Sequence, residues 1–363
     1  ILRGAARWYD LTALLERHVA AAKNPVQRVE LYQEAAVIYE KELDDPHRAI
    51  EAYLNALAID DKSRAALTAL PRLYKRTEAW EKAVTTLARH AELEGNRGAA
   101  LWAEAGALAL TELADREGAE RYLDKALAID ADHLLALKTL ADVNVAKGAW
   151  TSALDYLLRA EAVAPQRGDR IELLSRAAEI CEQRLEDPSR ALGLLERVLK
   201  LDPDHVVAGE KVADRLVAAE RWDDALPVLE MLARRSEGGD RLERARRQSQ
   251  LGAAYEHLHR TEKAAKHYRL AVEADPDNLD AALGLAGTLT TEAKAIEGTA
   301  TEGGEERWKE VDKRYREILA RFRTALADGQ VADICYRLGL AAHALGDDRN
   351  DDNALRRALA MYR

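Results

Sequence analysis

The sequence predicts an all-α fold of helical hairpins stacked in a line. Three observations carry this: a core built from small and aliphatic residues, an amphipathic spacing of four and three, and self-similarity at a regular period. The 363 residues are 48% apolar but only 5% aromatic, and Phe322 is the single Phe. Such a core must be made of Ala and Leu, which are also strong helix formers. With 54 basic against 64 acidic residues the net charge is −10, whereas a general nucleic-acid binder shows a basic excess. No apolar run is long enough to span a bilayer. Two cysteines, Cys181 and Cys335, are too few for a disulfide framework.

The repeating helices come in two types. Residues 49–61, 119–131, 191–203 and 264–276 read AIEAYLNALAIDD, AERYLDKALAIDA, ALGLLERVLKLDP and AAKHYRLAVEADP. Each starts with Ala, has an aromatic residue or Leu four on, and Ala or Val three after that. These spacings fall on one helical face. The closing Asp-Pro stops the helix, because Pro cannot continue it. Asp45-Pro46 and Asp187-Pro188 instead open helices, with Asp accepting from free N–H groups. The second type starts with Trp three residues before its anchor: Trp8, Trp80, Trp150 and Trp222, with Trp308 a fifth member. Anchors then fall at 11, 49, 83, 119, 153, 191, 225 and 264, and the first four tryptophans are 72, 70 and 72 residues apart. The tryptophans are expected to wedge each turn against the neighbouring hairpin.

Upstream of each anchor lies another amphipathic helix with a small residue at its middle: Ala36, Gly106, Ala141, Ala178, Ala213, Gly252, Ala286 and Gly339. A small residue there lets two helices approach closely. Pro71 takes that place in one helix and is expected to bend it. Pro227 falls nearer a helix start. The sequence begins with Ile, and residues 354–363 read as a helix cut off in mid-course, so a segment of a longer polypeptide is expected. The organisation read is 1–29 a partial leading repeat, 30–290 the array, 291–307 an insertion loop, and 308–363 irregular repeats.

This pattern resembles the tetratricopeptide repeat, W-x2-L-G-x2-Y followed by A, F, A and P. The resemblance covers residues 1 to about 290 well and 308–363 loosely, and no single repeat matches it throughout. It is similar to long arrays of bacterial proteins, in either the cytoplasm or the periplasm. The resemblance implies a right-handed α-solenoid, with the first helix of each hairpin lining a concave wall, and a protein or peptide partner. The acidic charge, the absence of a long apolar run and the absence of cofactor motifs lead to the expectation of no cofactor, no nucleic acid and no membrane insertion. Projecting the family's groove positions gives Arg72, Lys75 and Arg76 in one repeat and Lys138 and Asp142 in another. Glu179 follows, then Glu210 and Asp214. A basic zone would thus give way to an acidic one and orient a bipolar partner. Lys138 is followed one turn on by Asp142 and not Asn, which argues against a clamp for C-terminal carboxylates.

No catalytic constellation is present. The sequence lacks a phosphate loop, a nucleophile elbow and a zinc-protease motif. His257, His259 and His267 fit no standard zinc spacing. Cys181 and Cys335 stand at core-facing positions and are expected to be buried. The acids of residues 346–353 resemble a calcium loop, but Asn353 replaces its Gly and Leu359 its Glu. The expected function is a non-enzymatic scaffold or adaptor. The alternatives are a regulatory or sensor region of a larger enzyme, and a subunit-docking component of a bacterial envelope or motility assembly.

Overall fold

The computed structural model describes residues 7–296, 304–346 and 356. The chain forms two compact units, residues 1–191 and 192–363. Among the described residues there are α-helices and short 3-10 turns but no strand, and no helix is long and apolar enough to cross a membrane. The fold class is that of an α-solenoid of tetratricopeptide-like hairpins.

The first unit holds α1 (Trp8–Ala21), α2 (Pro25–Lys41), α3 (Pro46–Ile59), α4 (Arg64–Arg76), α5 (Trp80–Glu94), α6 (Ala99–Thr111), α7 (Arg116–Ile129), α8 (Leu134–Lys147), α9 (Trp150–Val163) and α10 (Arg167–Gln183). The division falls in the first turn of α11 (Pro188–Leu201). The second unit continues with α12 (Val206–Ala218), α13 (Trp222–Arg235), α14 (Arg241–His257), α15 (Thr261–Ala274), α16 (Leu279–Ile296), α17 (Gly304–Arg321) and α18 (Asp328–Ala344). Even-numbered helices are the first members of hairpins and odd-numbered ones the second. The small middle residues Ala36, Ala141, Ala178, Ala213 and Ala286 are all buried. At Gly106 a Cβ would lie 2.6 Å from Leu123 Cγ, and at Gly252 it would lie 2.8 Å from the Tyr268 ring. At these two sites the residue four past the anchor, Leu123 or Tyr268, therefore inserts over the bare Cα of the preceding helix.

Two kinds of turn link the helices. Between second and first helices an Asp caps the helix end and then accepts from the N–H two residues on: Asp60 from Lys62, Asp130 from Asp132, and Asp275 from Asp277, at 3.1, 3.2 and 3.1 Å. His133, His205 and Asn278 next accept from the N–H groups of Ala136, Ala208 and Ala281, starting the following helix. The turn is the same at Asp60-Asp61 and Asp130-Ala131 as at Asp275-Pro276. The Asp side chain therefore makes the stop, and Pro only reinforces it. Asp45 and Asp187 cap α3 and α11 as expected, accepting at 3.0 and 2.9 Å, and Asp115 caps α7 in the same way at 2.9 Å.

Within hairpins, one turn residue takes positive φ. It is Gly148 at 72° after α8, but Glu78 at 56°, Ala114 at 52°, Glu186 at 52° and Glu220 at 55° elsewhere. Left-handed backbone costs an L-residue about 1–2 kcal/mol, which Gly escapes. Glu78→Gly and Ala114→Gly should each raise stability by up to about 1 kcal/mol, and Gly148→Ala should lower it by about the same. Thermal unfolding of the three variants tests this; equal melting temperatures would remove the argument.

The Trp-type helices α5, α9 and α13 start without a side-chain cap. Trp150 instead packs under Arg184 at the end of α10, 4.9 Å from ring to guanidinium, and Trp222 stacks on His257 at the end of α14 at 4.0 Å. The wedge expected from sequence is thus a cover for the end of the next hairpin's first helix. These tryptophans are half-buried, whereas Trp308 is buried and lies inside α17, not at its start.

Helices run across three of the expected boundaries. Residue 29 lies inside α2, which Asn24 opens by accepting from Val26 N–H at 3.0 Å. Positions 291 and 307 fall inside α16 and α17. α16 runs to Ile296, and along it Thr290 and Thr291 donate to the carbonyls of Ala286 and Gly287, at 2.7 and 3.1 Å. Residues 297–303, most of the acidic 346–353 stretch and, apart from Arg356, the cut-off helix of 354–363 lie outside the described residues. Pro71 does not interrupt α4, and Pro227 is interior to α13, as its sixth residue.

Candidate functional site

Every sequence-predicted site residue lies on a first helix of a hairpin. Arg72, Lys75 and Arg76 are on α4, Lys138 and Asp142 on α8, and Glu179 on α10. Glu210 and Asp214 are on α12 in the second unit. Most are not free. Arg72 pairs with Glu40, Arg76 with Asp44 at 2.6 Å, and Lys75 with Glu104. The basic zone on α4 is therefore matched charge for charge by α2, α6 and the turn after α2, which the groove projection did not include. Lys138 lies 3.9 Å from Asp169, and Asp142 pairs with Arg176, tying α8 to α10. Glu210 pairs with Arg247, a buried guanidinium that also lies 3.6 Å from Glu243. Glu179 and Asp214 are exposed and make no ion pair among the described residues.

The charges thus form rungs between successive first helices, about one repeat apart in sequence. One rung has a hydroxyl beneath it. Tyr53 is buried under Glu40 and Arg72; burial chiefly pushes its phenol up, Glu40 adds to this and Arg72 opposes it. The carboxylate and the phenol recur in the second unit. The Tyr268 hydroxyl donates to Glu256 Oε2 at 2.8 Å, and burial, followed by the Glu256 charge, holds its pKa far above the usual tyrosine range. Glu256, Tyr268, Asp280, Gly287, Asp333 and Arg337 line a cleft of about 600 Å³ there. A cavity of about 340 Å³ also lies beside Pro71, between α4, α5 and α6. Sequence reasoning did not single out Glu256, Asp280 or Gly287. Counting from the small residue of each first helix could have done so, since Glu40 is Ala36 plus four and Glu256 is Gly252 plus four.

The remaining candidates disperse. His257 stacks on Trp222, while His267 shares a 2.7 Å hydrogen bond with Gln248 and stacks on Tyr255. Among the described residues no three His, Cys, Asp or Glu side chains gather as a metal cage. Cys181 and Cys335 are both buried, and burial pushes the Cys181 thiol up.

The tetratricopeptide repeat sequence profile matches residues 29–63 and 245–278, the two segments that carry Glu40 with Tyr53 and Glu256 with Tyr268. No curated protein matches the chain by sequence. Among solved structures it is similar to residues 41 to the end of MamA from Desulfovibrio magneticus, at 21% identity, 53% of this chain, 97% of that one and a TM-score of 0.35. It is similar to the C-terminal part of a TPR repeat-containing protein from Cytophaga hutchinsonii, at 11% identity, 74% and 95% coverage, and a TM-score of 0.41. It is also similar to YrrB, described as a TPR protein with an unusual peptide-binding site, at 23% identity, 50% and 89% coverage, and a TM-score of 0.34.

Proposed function

The chain is a tetratricopeptide repeat protein, and we propose that it is a non-enzymatic scaffold that binds a partner protein or peptide along the first helices of its hairpins. The observation that supports this is the row of charged side chains those helices carry, with Glu179 and Asp214 exposed and unpaired among the described residues. Fold alone does not fix function, so the surface itself must be tested. Exposed ion pairs contribute little stability, and their charges remain available to a partner.

Amine cross-linking of the purified chain in native lysate, read by mass spectrometry, tests the reading. Lys75 and Lys138 report the first helices, whereas Lys125, Lys263 and Lys266 report the second. A partner joined at Lys75 or Lys138 is expected. A swap of Glu40→Arg with Arg72→Glu keeps that rung while inverting it, and should weaken capture. A partner held only at the second-helix lysines, and unaffected by the swap, would make the array a spacer instead.

A further inference from the structure

Resting on that reading, we infer that the cleft beside Gly287 is a socket for one arginine side chain of a partner protein. The chain supplies its own precedent. In the first unit Glu40 stands four residues past Ala36, and Arg72, one residue past Pro71, answers it from the next first helix. In the second unit Glu256 stands four past Gly252, and the residue one past Ala286 is Gly287. The buried tyrosine beneath is Tyr53 in one place and Tyr268 in the other. The carboxylate and the phenol are repeated, and the guanidinium is not.

Packing does not require this glycine. A Cβ on Gly284 would lie 2.3 Å from the Tyr268 ring, so that position is closed. A Cβ on Gly287 would meet only Arg337 Nη1 at 3.8 Å and Glu256 Oε1 at 3.9 Å, both ordinary contacts. Gly inside a helix is unfavourable relative to almost any other residue. Here it leaves open the place where Arg72 sits in the first unit.

The charge matches a cationic occupant. Asp280 replaces Ala65 at the corresponding position, each six residues before the small-residue site. Glu256 and Asp280 make no ion pair among the described residues. Arg337, the nearest cation, donates from Nε to Asp333 at 2.7 Å and lies over Tyr315, 6.0 Å from its centroid. Three carboxylates therefore face one guanidinium. A planar guanidinium can meet Glu256 and Asp280 with several N–H groups, which an ammonium cannot do as well.

The test uses the full chain with methyl-labelled leucines. Leu283 lines the cleft and reports binding by NMR. The probe is arginine blocked at both ends, compared with blocked citrulline. Blocked arginine should shift the Leu283 methyls saturably, with citrulline at least ~10-fold weaker because it lacks the charge. Gly287→Arg should abolish the response and raise the melting temperature, by rebuilding the Glu40–Arg72 rung. Glu256→Gln should weaken binding with the fold intact. An absent Leu283 response, equal binding of citrulline, or binding that survives Gly287→Arg would each overturn the socket. If a partner is captured at Lys75 or Lys138 while blocked arginine does not bind, the socket fails alone. If blocked arginine binds and no partner is captured, the scaffold reading fails alone.

Discussion

Arg170→Met is expected to destabilise the first unit by about 3 kcal/mol. Glu161, near the end of α9, has a side chain only 3% exposed, and Arg170 of α10 donates to its Oε1 from Nε at 3.0 Å and from Nη2 at 2.7 Å. Removing the guanidinium takes both of these hydrogen bonds from a buried carboxylate, and breaking such a pair costs more than the pair is worth intact. Arg170 itself is 40% exposed, so water reaches the site and the loss falls at the low end of the usual range. The double variant Glu161→Met with Arg170→Met removes both charges and should recover most of the loss. Urea unfolding of the single and double variants decides it. If Arg170→Met unfolds with the wild type, the pair does not hold α9 to α10.

Gly106→Val should cost a similar amount, about 3 kcal/mol, for a steric reason. The added Cβ would lie 2.6 Å from Leu123 Cγ and 3.1 Å from the Ala119 carbonyl oxygen. A side chain could turn away, but the second contact is backbone, so α6 and α7 must separate. Gly→Val in a helix interior gains a few tenths of a kcal/mol in propensity, which is too little to offset this. Leu123→Ala in the Gly106→Val background removes the first clash but not the second, so recovery should be partial. Hydrogen exchange across α6 and α7 is the measurement, and unchanged protection in Gly106→Val would refute the close approach.

The helices and their pairing were legible in the sequence because both depend on residues close together in the chain. The anchors Ala49, Ala119 and Ala264, the capping aspartates Asp45 and Asp187, and the middle residues Ala36 and Gly252 announce themselves at helical spacing. The rungs did not. Arg72 is 32 residues from Glu40, and a charged residue on an amphipathic helix reads as solvent-facing until the next helix is placed beside it. The basic zone read at Arg72, Lys75 and Arg76 was therefore real in composition but neutralised in space. Gly287 was silent for a related reason. An extra glycine beside Ala286 carries no signal until the repeat that bears Arg72 is laid over it. The tryptophan period was visible, but its cause needed Arg184 and His257, which belong to the following hairpin.

One feature of the turns gives the chain a direction in time. Arg89 donates to the carbonyl of Asp61 at 2.5 Å and Arg159 to that of Ala131 at 2.9 Å, while Arg235 and Arg321 pair with Asp204 and Asp277 at 3.1 and 2.8 Å. Each clamp reaches back from the second helix of a hairpin to the turn that opens that hairpin, about 28 to 44 residues earlier. At roughly 5–20 residues per second of synthesis, such a turn waits some seconds for its arginine to emerge. During translation every Asp turn of this kind is therefore completed by a successor not yet made. Behind the growing edge, one Asp turn at a time awaits its arginine.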